Sequence, residues 1–106
     1  MIIRIWKGTT TVGNAAAYEE LLRTTILPGI MERRINGLQR CELYRSAGNF
    51  GMVDFLTVLS FESLDAVKEF AGPDYEKAYV PDAARKLLAS FDPAARHYEA
   101  IAAFET

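Results

Sequence analysis

Met52-Val53-Asp54-Phe55-Leu56-Thr57-Val58-Leu59-Ser60-Phe61 reads as a β-strand, and both of its faces are largely apolar. Val53, Phe55, Thr57, Leu59 and Phe61 fall on one side; Met52, Asp54, Leu56, Val58 and Ser60 fall on the other. A strand with one wet face would alternate cleanly between apolar and polar residues. This one is expected to be covered on both sides.

Working outward, residues 2 to 9 form a first strand, with Ile3 and Ile5 on one face and Arg4 and Trp6 on the other. Asn14 reads as a helix N-cap, followed by Tyr18, Leu21, Leu22, Thr25 and Ile26 on one helical face. Pro28 predicts a kink or restart, and Asn36-Gly37 a left-handed cap that ends the helix. Leu38 to Arg45 is a second strand, and residues 46 to 51 turn into Met52 to Phe61. Ser63 caps a short helix with Leu64, Val67 and Phe70 as its buried stripe, and Gly72-Pro73 stops it. Another helical turn is expected over Asp74 to Tyr79, then a helix opened by Pro81 and running to about Ala89. Ala94 to Phe104 is the last strand.

The order is β-α-β-β-α-β. That predicts an α+β, ferredoxin-like domain: a four-stranded antiparallel sheet with its helices on one face. Helices on one face cannot cover both faces of residues 52 to 61, so a second copy of the chain is expected to pack sheet against sheet, making a homodimer.

The chain is 106 residues long, the size of one domain over 1–106, and 50% of it is hydrophobic. So small a domain has little interior, and the surplus points the same way. With 12 basic and 14 acidic side chains, it has no electrostatic footprint for nucleic acid. No apolar run approaches the roughly 20 residues of a membrane span. The N-terminus lacks the apolar core of a signal peptide, so the expected compartment is the cytoplasm. The lone Cys41 reads as a small half-buried residue. Glycine-rich nucleotide loops, a serine-hydrolase elbow and a C-x-x-C pair are all missing.

Four stretches carry a resemblance. They are Ile3-Arg4-Ile5-Trp6, Leu56 to Ala66, Phe70 to Ala78, and Phe91-Asp92 with His97-Tyr98-Glu99. Together they resemble the antibiotic biosynthesis monooxygenase domain family, over nearly the whole chain. The resemblance implies a dimeric α+β barrel. Relatives include quinone-forming monooxygenases that use no metal or flavin, haem-degrading enzymes, small isomerases and proteins of unknown activity; the site must choose among them. Haem-degrading members carry an Asn in the first strand, a Trp near the end of the third and a His in the second helical region. Here the first strand has no Asn, the third-strand position is about Leu59, and no His lies between Asp74 and Arg85. Haem oxygenation is therefore disfavoured.

His97, the single histidine, is the candidate general acid or base, since its ordinary pKa lies near neutrality. Tyr75 is the second catalytic candidate, as a hydrogen-bond donor to a ligand oxygen, and Tyr79 is its helical neighbour at a possible lid. Arg4 and Trp6 share a strand face, where Trp would stack on a flat ligand and Arg would hold an anion. The competing reading makes Trp6 core and pairs Arg4 with Asp54 or Glu99. Asp54 interrupts an apolar face and is read as an ion-pair partner across a dimer or as a pocket acid. Glu99 shares the His97 face and is read as part of the substrate surroundings. No metal site and no cofactor is expected. Two functions remain open: a cofactor-independent monooxygenase acting on an electron-rich aromatic or polyketide-like compound, or a non-catalytic dimeric protein that binds a small apolar ligand or serves in stress.

Overall fold

The computed structural model describes residues 1–106. Its first half is a long strand and a long helix. Strand β1 covers Ile2–Thr11, and helix α1, Val12–Leu21, follows without a loop. The N-cap is Thr11, whose hydroxyl accepts from the Asn14 backbone N–H; the expected cap, Asn14, already lies inside the helix. Its side-chain amide instead donates to the Leu87 carbonyl at 3.3 Å and ties the helix to a distant loop.

Pro28 acts upstream of itself. Its ring crowds the carbonyl four residues back and it has no N–H to offer that carbonyl. Residues Leu22–Ile26 relieve this as one wider, π-helical turn, in which Leu27 N–H reaches back to Leu22 O. Helix α2, Leu27–Glu32, continues from there, so the chain stays helical where a restart was expected. The left-handed residue that ends it is Arg34 (φ 50°), two positions before the predicted Asn36-Gly37. Gly37 is also left-handed (φ 90°), and a Cβ there would sit 2.7 Å from Ala66 Cβ, so it serves the close approach to the next helix.

Strands β2, Leu38–Ala47, and β3, Met52–Phe61, form a hairpin. Helix α3, Leu64–Ala71, is capped by Ser63 as expected, with its hydroxyl 3.2 Å from Ala66 N. Residues 74–79 are not helical. Their backbone is taken by the 93–95 segment: Ala78 N–H donates to Pro93 O, and Ala95 N–H to Glu76 O. Helix α4 is one turn, Asp82–Arg85, and ends early because Ala89 N–H goes to Thr9 O on the sheet.

The sheet is antiparallel, in the order β2-β3-β1, with two short strands sharing the position beyond β1. They are β4, Ser90–Phe91, and β5, Arg96–Glu99. Phe91 lies opposite Gly8 and Arg96 opposite Ile5, so residues 92–95 bulge out against only Trp6 and Lys7. Of the expected strand 94–104 only Arg96–Glu99 forms, and Ser90–Phe91 is an unexpected short strand ahead of it. Glu99 faces Ile2, Ala100 N–H reaches Met1 O, and residues 100–106 have no strand beside them. Ile101 and Phe104 are fully solvent-facing in the single chain.

The arrangement is the ferredoxin-like α+β fold that the element order predicts. The helices cover one face, where Tyr18, Leu22, Val53 and Phe55 form one core cluster and Leu59, Phe61 and Val67 another. Only 17 of 106 residues are buried, so most of the hydrophobic half remains at least partly exposed in one chain. Part of it lies on the other face of the sheet, which no helix covers: Ile3, Ile5, Leu56, Val58, Tyr44 and Tyr98. No helix is long and apolar enough to cross a membrane.

Candidate functional site

Alternation along β1 turns Ile2, Arg4, Trp6, Gly8 and Thr10 toward the helices, beside Phe61, Leu59, Thr57, Phe55 and Val53 of β3. Between this part of the sheet and the helices lies a cavity of about 420 Å³. Arg4, Trp6, Thr57 and Leu59 make its floor; Tyr18, Leu22, Ile26 and Ile30 come from the long helical stretch; Phe70, Ala78, Val80 and Ala84 close the far side. Of its 19 lining residues 13 are hydrophobic, so water is poorly held and an apolar body is favoured.

The charged lining residues are Arg4, Arg33 and Lys77; no Asp, Glu or His is among them. Arg4 is 7% exposed, yet none of the three ion pairs in the chain involves it. The alternative pairing with Asp54 or Glu99 is therefore not made. One guanidinium nitrogen of Arg4 donates to the Tyr75 carbonyl and lies 3.0 Å from His97 Nε2. Burial pulls the Arg4 pKa below its ordinary value. Its guanidinium also stands 5.4 Å from the Phe70 ring centroid, and that of Arg33 stands 5.1 Å from the same centroid.

His97 sits behind Arg4 and does not line the cavity. Arginine can only donate, so Nε2 accepts, and the ring proton is assigned to Nδ1. Burial lowers the His97 pKa, the Arg4 charge lowers it further, and Glu76 opposes both. Tyr75 packs edge-on against the His97 ring at 5.2 Å and also lies outside the lining. The structure thus gathers Arg4, His97 and Tyr75, but only Arg4 reaches the cavity.

Trp6 lines the floor and also packs against the first core cluster. Its indole N–H is donated to Asp92 O at 2.7 Å, which fixes the ring, and Phe91 packs tilted against it at 5.9 Å. Tyr79 lies at the mouth and is 86% exposed. Asp54 is elsewhere: its register opposite Thr9 puts it on the uncovered face, where it accepts from Thr9 Oγ1 at 2.7 Å. Glu99 is exposed beside Ile2, away from the lining.

Three lining residues were not singled out by sequence. Tyr18 read as core, and it is buried, but burial pushes its pKa up to about 12 and its hydroxyl takes no partner from the chain. That hydroxyl lies over Gly8, where a Cβ would come within 3.2 Å of it. Arg33 and Lys77 carry no sequence signal that ties them to a pocket. Only the spacing that returns Tyr18, Leu22, Ile26 and Ile30 to one face at four-residue steps could have flagged the first. No three His, Cys, Asp or Glu side chains converge anywhere in the chain.

Solved structures share this architecture. A monooxygenase of Streptomyces coelicolor, the product of ActVA-Orf6 solved with Nanaomycin D, is 16% identical with a TM-score of 0.70, over 99% of this chain and 91% of that one. A Caulobacter crescentus protein assigned as an antibiotic biosynthesis monooxygenase is 24% identical with a TM-score of 0.63, over 95% and 90%. A Bacillus cereus protein assigned likewise is 16% identical with a TM-score of 0.64, over 97% of each chain. This chain shares the fold of these proteins. No family model matches the sequence, and no curated protein matches it. At these identities the likeness carries the fold alone; chemistry has to be argued from the cavity.

Proposed function

We propose that the protein is a small monooxygenase that works without metal or flavin on an electron-rich aromatic or polyketide-like compound. The observation that carries this reading is the cavity itself: apolar, floored by an immobilised indole, positively charged and free of carboxylates. Its volume suits a fused-ring aromatic. Arg4, Arg33 and Lys77 favour the ionised form of an enol or phenol, so that solvent can take the proton without a base in the lining. The Tyr18 hydroxyl, the free donor, holds the ionised oxygen.

Such an anion can give electrons to O₂ directly. For an anthrone-type ring, two C–H bonds of the reacting CH₂ break and its carbon is oxidised to a carbonyl. O₂ is reduced: one atom becomes the carbonyl oxygen, and the other leaves as water with the two hydrogens. The protein orients the substrate for this reaction.

A second copy belongs to the same reading, covering Ile3, Ile5, Leu56 and Val58 on the bare face of the sheet. A carrier without catalysis is the second reading, and the lack of any imidazole or carboxylate in the lining favours it. Oxygen uptake with a panel of anthrones and hydroquinones separates the two. Uptake above the spontaneous rate, reduced in Tyr18→Phe, is expected; ligand-induced thermal shifts without uptake would leave the carrier.

A further inference from the structure

Arg4 is a buried cation with no anion. An unpaired buried charge carries a standing desolvation penalty, and here the neighbours add to it. Arg33 brings a second guanidinium to the same Phe70 ring, and Lys77 a third positive charge to the same lining. Tyr75 O and His97 Nε2 take up one edge of Arg4, which fixes the group but does not neutralise it. A planar fork held in this way lacks a bidentate acceptor.

We propose that Arg4 is the anchor of an anion subsite, and that the cavity selects flat aromatic ligands bearing a permanent carboxylate. The carboxylate sits on the Arg4 guanidinium beside Phe70, within the field of Arg33. The ring system lies over Trp6, toward the Tyr18 hydroxyl, and the cavity volume of about 420 Å³ suits two or three fused rings rather than one. The ionised carboxylate is thus separate from the oxygen that Tyr18 holds. This deepens the functional reading above and rests on the same cavity, but it concerns recognition, not turnover.

Trp6 is the sole tryptophan, so its fluorescence reports occupancy of the floor. Quenching by anthraquinone-2-carboxylate is to be compared with quenching by anthraquinone-2-carboxamide, a neutral analogue of the same shape. The acid is expected to bind the wild-type protein at least ten times more tightly, with the preference weakening as salt rises. In Arg4→Met the ratio should fall to near one. Should that variant not fold, Arg33→Gln carries the test: it lies at the exposed mouth and should reduce the preference several-fold.

Equal affinity for acid and amide in the wild type, or no quenching by either at millimolar concentration, overturns the proposal. So does a preference unchanged in Arg4→Met. The two readings fail separately. Acid selectivity without oxygen uptake keeps the subsite and removes the monooxygenase; uptake that ignores the carboxylate does the reverse.

Discussion

A guanidinium nitrogen of Arg4 and Nε2 of His97 lie 3.0 Å apart on neighbouring strands, in register across the β1–β5 ladder. The imidazole is therefore an acceptor for a cation and is held neutral. Protonation would set two positive groups against each other. Because the folded-state pKa of His97 is lowered, the unfolded chain binds the extra proton first as pH falls. The stabilisation is complete above the ordinary value of about 6.5 and is lost as pH drops through it toward the lower folded value. His97→Gln should flatten the fall of Tm between about pH 7 and pH 5. A curve parallel to wild type in thermal melts would show that His97 does not couple to folding.

Tyr18→Phe removes one hydroxyl from the cavity and no packing. Stability should change by less than about 1 kcal/mol, because the hydroxyl has no protein partner to lose. Affinity for an anthrone or quinone should fall by roughly three- to tenfold, the worth of one hydrogen bond. Titration by Trp6 quenching measures this. Unchanged affinity would place the ligand oxygen elsewhere.

Thr10 offers the opposite case. Its side chain is fully buried and its hydroxyl has no partner. Thr10→Val keeps the shape and removes the unsatisfied group, so it should stabilise by about 1 kcal/mol. Urea midpoints with an unchanged slope would establish the gain; a loss would mean that the hydroxyl is satisfied in solution.

Phe61 and Phe55 anchor separate core clusters, and both are almost fully buried. Phe61→Ala should destabilise by about 3–5 kcal/mol while leaving Trp6 in place. Phe55→Ala should do comparable damage and also loosen Tyr18, whose ring meets Phe55 edge-on at 5.1 Å. Near-ultraviolet circular dichroism on the folded fraction tells the two apart.

The bare sheet face gives a fifth expectation. Leu56→Glu places a charge there without touching the cavity. Light scattering should report a dimer for wild type and a monomer for this variant; a monomeric wild type at micromolar concentration would remove the second copy from the proposal.

Patterning carried most of the architecture. The β3 alternation and the Ser63 cap were legible because each depends on residues close in sequence. The shortening of the last strand was not, since it depends on which backbone groups residues 74–79 claim from 93–95. The site was legible only in part, for the same reason. Arg4 and Trp6 share a face by simple alternation, whereas Arg33, Lys77 and Tyr18 join them only through the path of the helical stretch and the loop. Asp54 shows the limit: its alternation was clear, but not which of the two faces held the cavity.

The wide turn at Leu22–Ile26 has a consequence for how such a pocket can vary. It holds one residue more than an ordinary helical turn would. Deleting a single residue there would let the turn close into ordinary α-helix and keep the residues after it on their faces. Deleting one elsewhere in the helical stretch would rotate everything after it by about 100° and swing Ile30 and Arg33 off the opening together. The shape of the entrance is therefore set by a count of residues, and the wide turn is the place where that count can change by one without recutting it.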